Sequence, residues 1–155
     1  DPERANFTLC QHQTRANCIV DGDTFWFQGR KIRIADIDTP ETHPARCAEE
    51  ARLGTAATGR LMALLNAGSF TLQAADRDQD FFGRDLRIVT RAGQSIGGAL
   101  VKEGLARWYA GGRKHWCYEH ILSPHFRPNP ILEGGAKLSR LYRLGSCVPR
   151  CRPAI

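Results

Sequence analysis

Two aspartates, a glutamate and two arginines stand in an order suited to cutting a phosphodiester. They are Asp23 in Asp21-Gly22-Asp23-Thr24, then Arg33, then Asp38 and Glu41 in Asp38-Thr39-Pro40-Glu41, and Arg84 after Gly83. Asp23 and Asp38 offer hard carboxylate oxygens to a hard cation. Glu41 offers a carboxylate able to take a proton from water. Arg33 and Arg84 bring planar forks that match two phosphate oxygens at once. Each piece alone has a plainer reading. Asp-Gly-Asp-Thr is an ordinary polar turn, a lone arginine is usually a surface ion-pair partner, and a glutamate after proline suits the first turn of a helix. Their order along one chain is what singles them out.

Short strands must carry these groups. Cys18-Ile19-Val20, Thr24 to Phe27 and Lys31 to Ala35 read as strands, with a Gln28-Gly29 turn between the last two. Alternation puts Ile32 and Ile34 on one face and leaves Arg33 on the other, aimed from a rigid strand. After Pro40 the period becomes helical, with Leu53, Ala57, Leu61, Leu64 and Leu65 on one face and Asn66-Ala67-Gly68 as the stop. Phe70 to Ala74 alternates as a strand, a polar loop is expected from Asp76 to Asp80, and Leu86 to Thr90 follows as a strand before an Ala92-Gly93 turn. Ser95 can cap a short helix that closes at Gly104. Periodicity alone gives an α+β domain, mainly β.

The chain has 155 residues, enough for one domain with a core, and its net charge of +6 favours a polyanionic partner. After Cys117 six bases face two acids, so the tail carries +4 of that charge. Five prolines interrupt the tail, and residues 118–155 are expected to form an irregular basic appendage to a domain spanning 1–117. Six cysteines in no Cys-x-x-Cys pair point to disulfides and to a periplasmic or extracellular compartment. Cys10 with Cys18 and Cys47 with Cys117 are the expected pairs, and Cys147 with Cys151 can pair locally. No apolar run is long enough to cross a bilayer, no signal-peptide pattern is present, and the start at Asp1 suits a processed product. The five histidines show no ligand spacing and read as surface residues.

The stretches Val20 to Thr24, Arg33 to Glu41, Phe82-Gly83-Arg84 and Ala99 to Ala106 resemble the staphylococcal-nuclease-like (thermonuclease) family in order and spacing, over residues 18–109. The resemblance implies a five-stranded OB-type barrel with about three helices, one face of which takes oligonucleotides. It implies Ca2+ held by Asp23, Asp38 and the Thr39 carbonyl, Glu41 activating a water, and Arg33 and Arg84 stabilising charge on the phosphoryl oxygens. DNA and RNA, single-stranded or locally melted, are the implied substrates, with 3′-phosphorylated products. A monomer without membrane attachment is expected.

Where that family often has Lys-Tyr before Gly-Arg, this chain has Phe81-Phe82. Further substrate contacts are expected from Phe82, Arg107, Tyr109 and Lys114, within a stretch from Arg107 to Trp116 that interleaves cations and rings. Core or rim packing is an equal alternative for Trp108 and Trp116. The competing functional reading is a catalytically silent nucleic-acid-binding barrel. Retention of all five charged residues speaks for the enzyme.

Overall fold

A two-residue turn at Gln28 and Gly29, with φ of +49° and +77°, reverses the chain between two amphipathic strands. In the computed structural model, which describes residues 1–10 and 15–119, that hairpin is the centre of the fold. In chain order the strands are β1 (Thr8–Leu9), β2 (Cys18–Asp21), β3 (Thr24–Phe27), β4 (Arg30–Ile34) and β5 (Ile37–Asp38). Helix α1 (Ala48–Asn66) is followed by β6 (Thr71–Gln79), β7 (Asp85–Arg91) and β8 (Gln94–Ser95), then by α2 (Ile96–Lys102), β9 (Arg107–Trp108) and the single turn α3 (Trp116–Glu119). The main sheet runs β1-β2-β3-β4-β7-β6, with β8 on β7, and β5 pairs with β9 in a separate ribbon.

The architecture is mixed and sheet-rich, as the α+β reading requires. It departs from the five-strand expectation, because the described strands are shorter and more numerous and the ladder does not close strand to strand. Its two edges are linked instead by the N-terminal segment. Glu3 and Phe70 exchange backbone hydrogen bonds of 2.9 Å beside β6, while Thr8 and Leu9 pair with β2. Phe7 lies between those anchors and is buried against Phe25, Phe27 and Phe70. The Asn66 side chain accepts from the Phe7 amide at 2.8 Å and donates to its carbonyl at 2.9 Å, fixing the segment to the end of α1.

Helix α1 begins at Cys47, and Glu50 reaches back to accept from the Arg46 amide at 2.6 Å, a reciprocal cap that leaves Glu50 buried yet satisfied. Its buried stripe is Leu53, Ala57, Leu61 and Leu65, with Leu64 at the margin. Ser95 caps α2 by accepting from the Gly98 amide at 2.9 Å. Gly104, at φ +72°, ends α2 with bonds from its own amide to Val101 and from Leu105 to Leu100. The expected polar loop at 76–80 is instead strand up to Gln79. The polar residues belong to a hairpin that extends beyond the core, with a register irregularity between Ala74 and Gln79.

Cys10 bonds Cys18, and Cys47 bonds Cys117 across 70 residues, as the spacing suggested. Cys147 and Cys151 lie outside the described residues, as does the expected tail beyond Glu119. Among the described residues no helix is long and apolar enough to cross a membrane. His43 and His115 are exposed, and the other histidines lie outside the described residues.

Candidate active site

Strand alternation delivers Arg33 to the side of β4 opposite Ile32 and Ile34, yet all three side chains are buried. Arg33 is covered because the turn between β2 and β3 and the strand β5 fold over it. Its Nη1 donates to the Ile34 carbonyl at 2.5 Å and the Ile37 carbonyl at 3.0 Å, and stands 3.0 Å from Asp23 Oδ2. Its Nη2 is 4.0 Å from Asp38 Oδ1. One guanidinium thus sits against both aspartates.

Asp23 is held from three sides, since Thr24 Oγ1 donates to Oδ1 at 2.8 Å and the Thr39 amide to Oδ2 at 3.3 Å, beside the arginine. Asp21 supports the turn by accepting from the Asp23 amide at 3.2 Å. Burial, and then the charge of Asp23, push the Asp21 carboxyl up to about 7. Burial and the Asp23 charge also raise Asp38, against the opposing pull of Arg33, Arg113 and Arg107. Three nearby cations therefore do not fully offset the burial of Asp38 and the charge of Asp23 together.

Asp38 Oδ1 is buried without a hydrogen-bond partner. An orphaned carboxylate oxygen beside a second buried carboxylate fits a hard cation bound by oxygen ligands. The described residues offer two carboxylates for such an ion, and among them no group of three or more acids, histidines or cysteines is placed to hold a metal. Backbone oxygen and solvent would have to complete the shell.

Two glycines let α1 lie directly on this loop. A Cβ at Gly22 would come within 2.7 Å of the Ala57 Cβ, and one at Gly54 within 2.8 Å of the Pro40 and Glu41 carbonyls. Helix α1 therefore backs the segment Thr39 to Glu41 at contact distance. Gly22 was legible only as part of the polar turn from Asp21 to Thr24, and Gly54 was not legible, since a glycine inside a helix otherwise only weakens it.

Arg84 stands at the hairpin tip, immediately before β7. Its Nε donates to Asp80 Oδ2 at 2.6 Å, and its guanidinium carbon lies 5.6 Å from the centre of the Phe82 ring. Burial acts to raise Asp80, but hydrogen bonds from the Arg84 amide and side chain and from the Phe82 amide outweigh it, so the carboxyl is lowered. Arg33 and Arg84 line one cleft of about 440 Å³, with Phe82, Tyr109 and Arg113 also on its walls.

Glu41 forms an ion pair with Arg113, which links it to that cleft. Arg113 was legible only as one cation among several. Arg107 lies 3.7 Å over the Trp116 ring and its backbone pairs with Asp38, so it acts beside the carboxylates rather than in the cleft. Trp116 is buried in the core, and Trp108 is exposed with its ring beside Gly98. Lys114 is exposed and is not part of the cleft wall.

The staphylococcal nuclease homologue family model matches residues 31–123. The chain is 38% identical over 94 residues to Endonuclease YncB of Bacillus subtilis (strain 168), a match covering 57% of this chain and 44% of that protein. It is 39% identical over 94 residues to the SPbeta prophage-derived endonuclease YokF of the same organism, covering 57% of this chain and 31% of that one. The match thus spans less than half the length of either relative. With Arg33, Asp38, Glu41 and Arg84 all inside the matched stretch, the chain belongs to the staphylococcal nuclease homologue family.

Proposed function

We propose that the protein is a calcium-dependent nuclease, built on an OB-type scaffold, that hydrolyses phosphodiesters of DNA and RNA. The observation that carries this reading is the buried set of Arg33, Asp23 and Asp38 with its unsatisfied Asp38 oxygen. Asp23, Asp38 and the Thr39 carbonyl would hold the ion. Calcium, when bound, supplies positive charge that offsets the charge gathering on the phosphoryl oxygens. Glu41 takes a proton from water as the water oxygen attacks phosphorus in line. Arg33 and Arg84 donate to the non-bridging oxygens, and Arg84 would in addition sit near the departing 5′-oxygen. Arg113 releases Glu41 by exchanging it for a substrate phosphate.

That direction of cleavage leaves a 3′-phosphate and a 5′-hydroxyl. End analysis of a digested oligonucleotide tests it, because a 5′-hydroxyl accepts phosphate from a polynucleotide kinase without prior dephosphorylation. Fragments carrying 5′-phosphates would overturn the assignment. The disulfides support action in an oxidising compartment, periplasmic or extracellular. The protein acts as a monomer, and residues 1–117 form the catalytic unit while 118–155 add charge.

One observation favours a second reading, a catalytically silent nucleic-acid-binding module. Glu41 and Arg84 are each already ion-paired, with Arg113 and Asp80. Tight binding of DNA without any cleavage in calcium would support it.

A further inference from the structure

The tip of the β6–β7 hairpin carries two adjacent rings, of which Phe82 meets Arg84 and Phe81, among the described residues, meets no charged group of the cluster. Phe81 is 97% exposed and Phe82 is 79% exposed. Single exposed apolar residues are common, but two adjacent, nearly bare phenyl rings beside a functional cleft call for a partner.

The tip is firmly built. Asp80 Oδ1 accepts from the amides of Phe82 at 2.9 Å and Arg84 at 3.0 Å. The Asp80 amide donates to the Arg84 carbonyl at 3.0 Å, and the Gly83 amide to the Asp80 carbonyl at 3.1 Å. Gly83 takes a φ of +72°, which a side chain would disfavour. The two rings meet edge to face with centres 5.7 Å apart. Both rings line the cleft that holds Arg33 and Arg84, and Tyr109, 47% exposed, lines it as well.

Cations and uncharged ring faces therefore share one opening. The arginine forks suit phosphate, and the part of a nucleotide left to meet a phenyl ring is its base. We propose that Phe81 and Phe82, which stand where the resembled family often has Lys-Tyr, form a stacking platform for unpaired nucleobases flanking the phosphate in the cleft, and so give the single-strand preference that the resemblance implies a physical seat in this chain. In a duplex the base faces are already covered by their neighbours, so the rings gain nothing there. Phenyl groups offer no hydrogen bonds to base edges, so the platform is tolerant of base identity. The inference rests on the nucleic-acid substrate of the proposed function but not on cleavage.

The test is binding of the full chain, at low salt and with excess chelator, to a single-stranded oligonucleotide carrying 2-aminopurine. Stacking quenches this base. The parent is expected to bind and quench the single strand, and to bind a blunt duplex with the same label more weakly and without further quenching. Phe81→Ser should weaken single-strand binding about five- to tenfold and remove most of the quenching, at an unchanged thermal midpoint. Phe81→Trp should restore both. Unchanged affinity and quenching in Phe81→Ser would overturn the platform, as would a parent that binds no oligonucleotide. So would a Phe81→Ser effect confined to anionic vesicle binding or to self-association. Cleavage measured separately in calcium reports on the nuclease reading, so the two can fail independently.

Discussion

Arg33 Nη1 lies 3.0 Å from Asp23 Oδ2, with side chains only 8% and 3% exposed. Thr24 stands opposite Arg33 in the β3–β4 ladder, so the hairpin register brings the turn that bears Asp23 over the arginine. A buried carboxylate left without its cation is costly, so this pair serves the structure as well as the chemistry.

Arg33→Ala should lower turnover on DNA about a hundredfold or more. It should also destabilise the fold by about 3 kcal/mol, because Asp23 and Asp38 would remain buried without their arginine. Arg84, nearer the surface, should cost a similar factor in turnover with a much smaller stability loss. Glu41→Gln should match that loss of rate while sparing substrate binding. Steady-state kinetics and urea denaturation together separate these outcomes, and near-normal turnover in either arginine variant would refute the assigned roles.

Gly54→Ala tests whether α1 backs the Thr39 to Glu41 segment. In an open helix the change would stabilise by about 1 kcal/mol. Here the new methyl meets the Pro40 and Glu41 carbonyls, so stability should fall and turnover should drop at least tenfold. A more stable, fully active variant would show that the contact is slack.

The Asp21 and Asp38 carboxyls stand above their ordinary range, Asp21 at about 7, with burial the leading cause in both. The folded chain therefore keeps protons that the unfolded chain releases from about pH 4 upward. This stabilisation is complete below the unfolded value and is lost as pH rises to about 7. Thermal melting of metal-free protein should show its midpoint falling across that window, and calcium should remove most of the slope. A metal-free midpoint that rises between pH 4 and pH 7 would contradict the charge arrangement.

Phe7→Ala should destabilise by about 3–5 kcal/mol, since it empties a site among three other phenylalanines. Removing the Cys47–Cys117 bond, which spans 70 residues, should cost about 4 kcal/mol on the chain-entropy account. Chemical denaturation reads both, and a loss below 1 kcal/mol in either would show that the segment concerned is not an integral part of the fold.

What was legible in the chain was what depends on near neighbours. The Gln28-Gly29 turn, the alternation around Arg33, the stripe of α1 and the Ser95 and Gly104 ends of α2 are all set by local pattern, and all are found. The acids and arginines were legible because their order is itself a signal. Phe7 was not, because its burial depends on partners 18 to 63 residues away and no period marks residues 1–9. The Arg113–Glu41 pair and the close approach at Gly54 are long-range contacts of the same kind. The strand extension to Gln79 was hidden because both of its faces are polar.

The most direct measurement is the conversion of supercoiled plasmid to nicked and linear forms by the full chain, in calcium and in excess chelator, beside Glu41→Gln. The expected result is rapid conversion by the parent in calcium, none in chelator, and a loss of about a hundredfold in the variant. Conversion that persists in chelator, or a Glu41→Gln protein as fast as the parent, would contradict the proposed site.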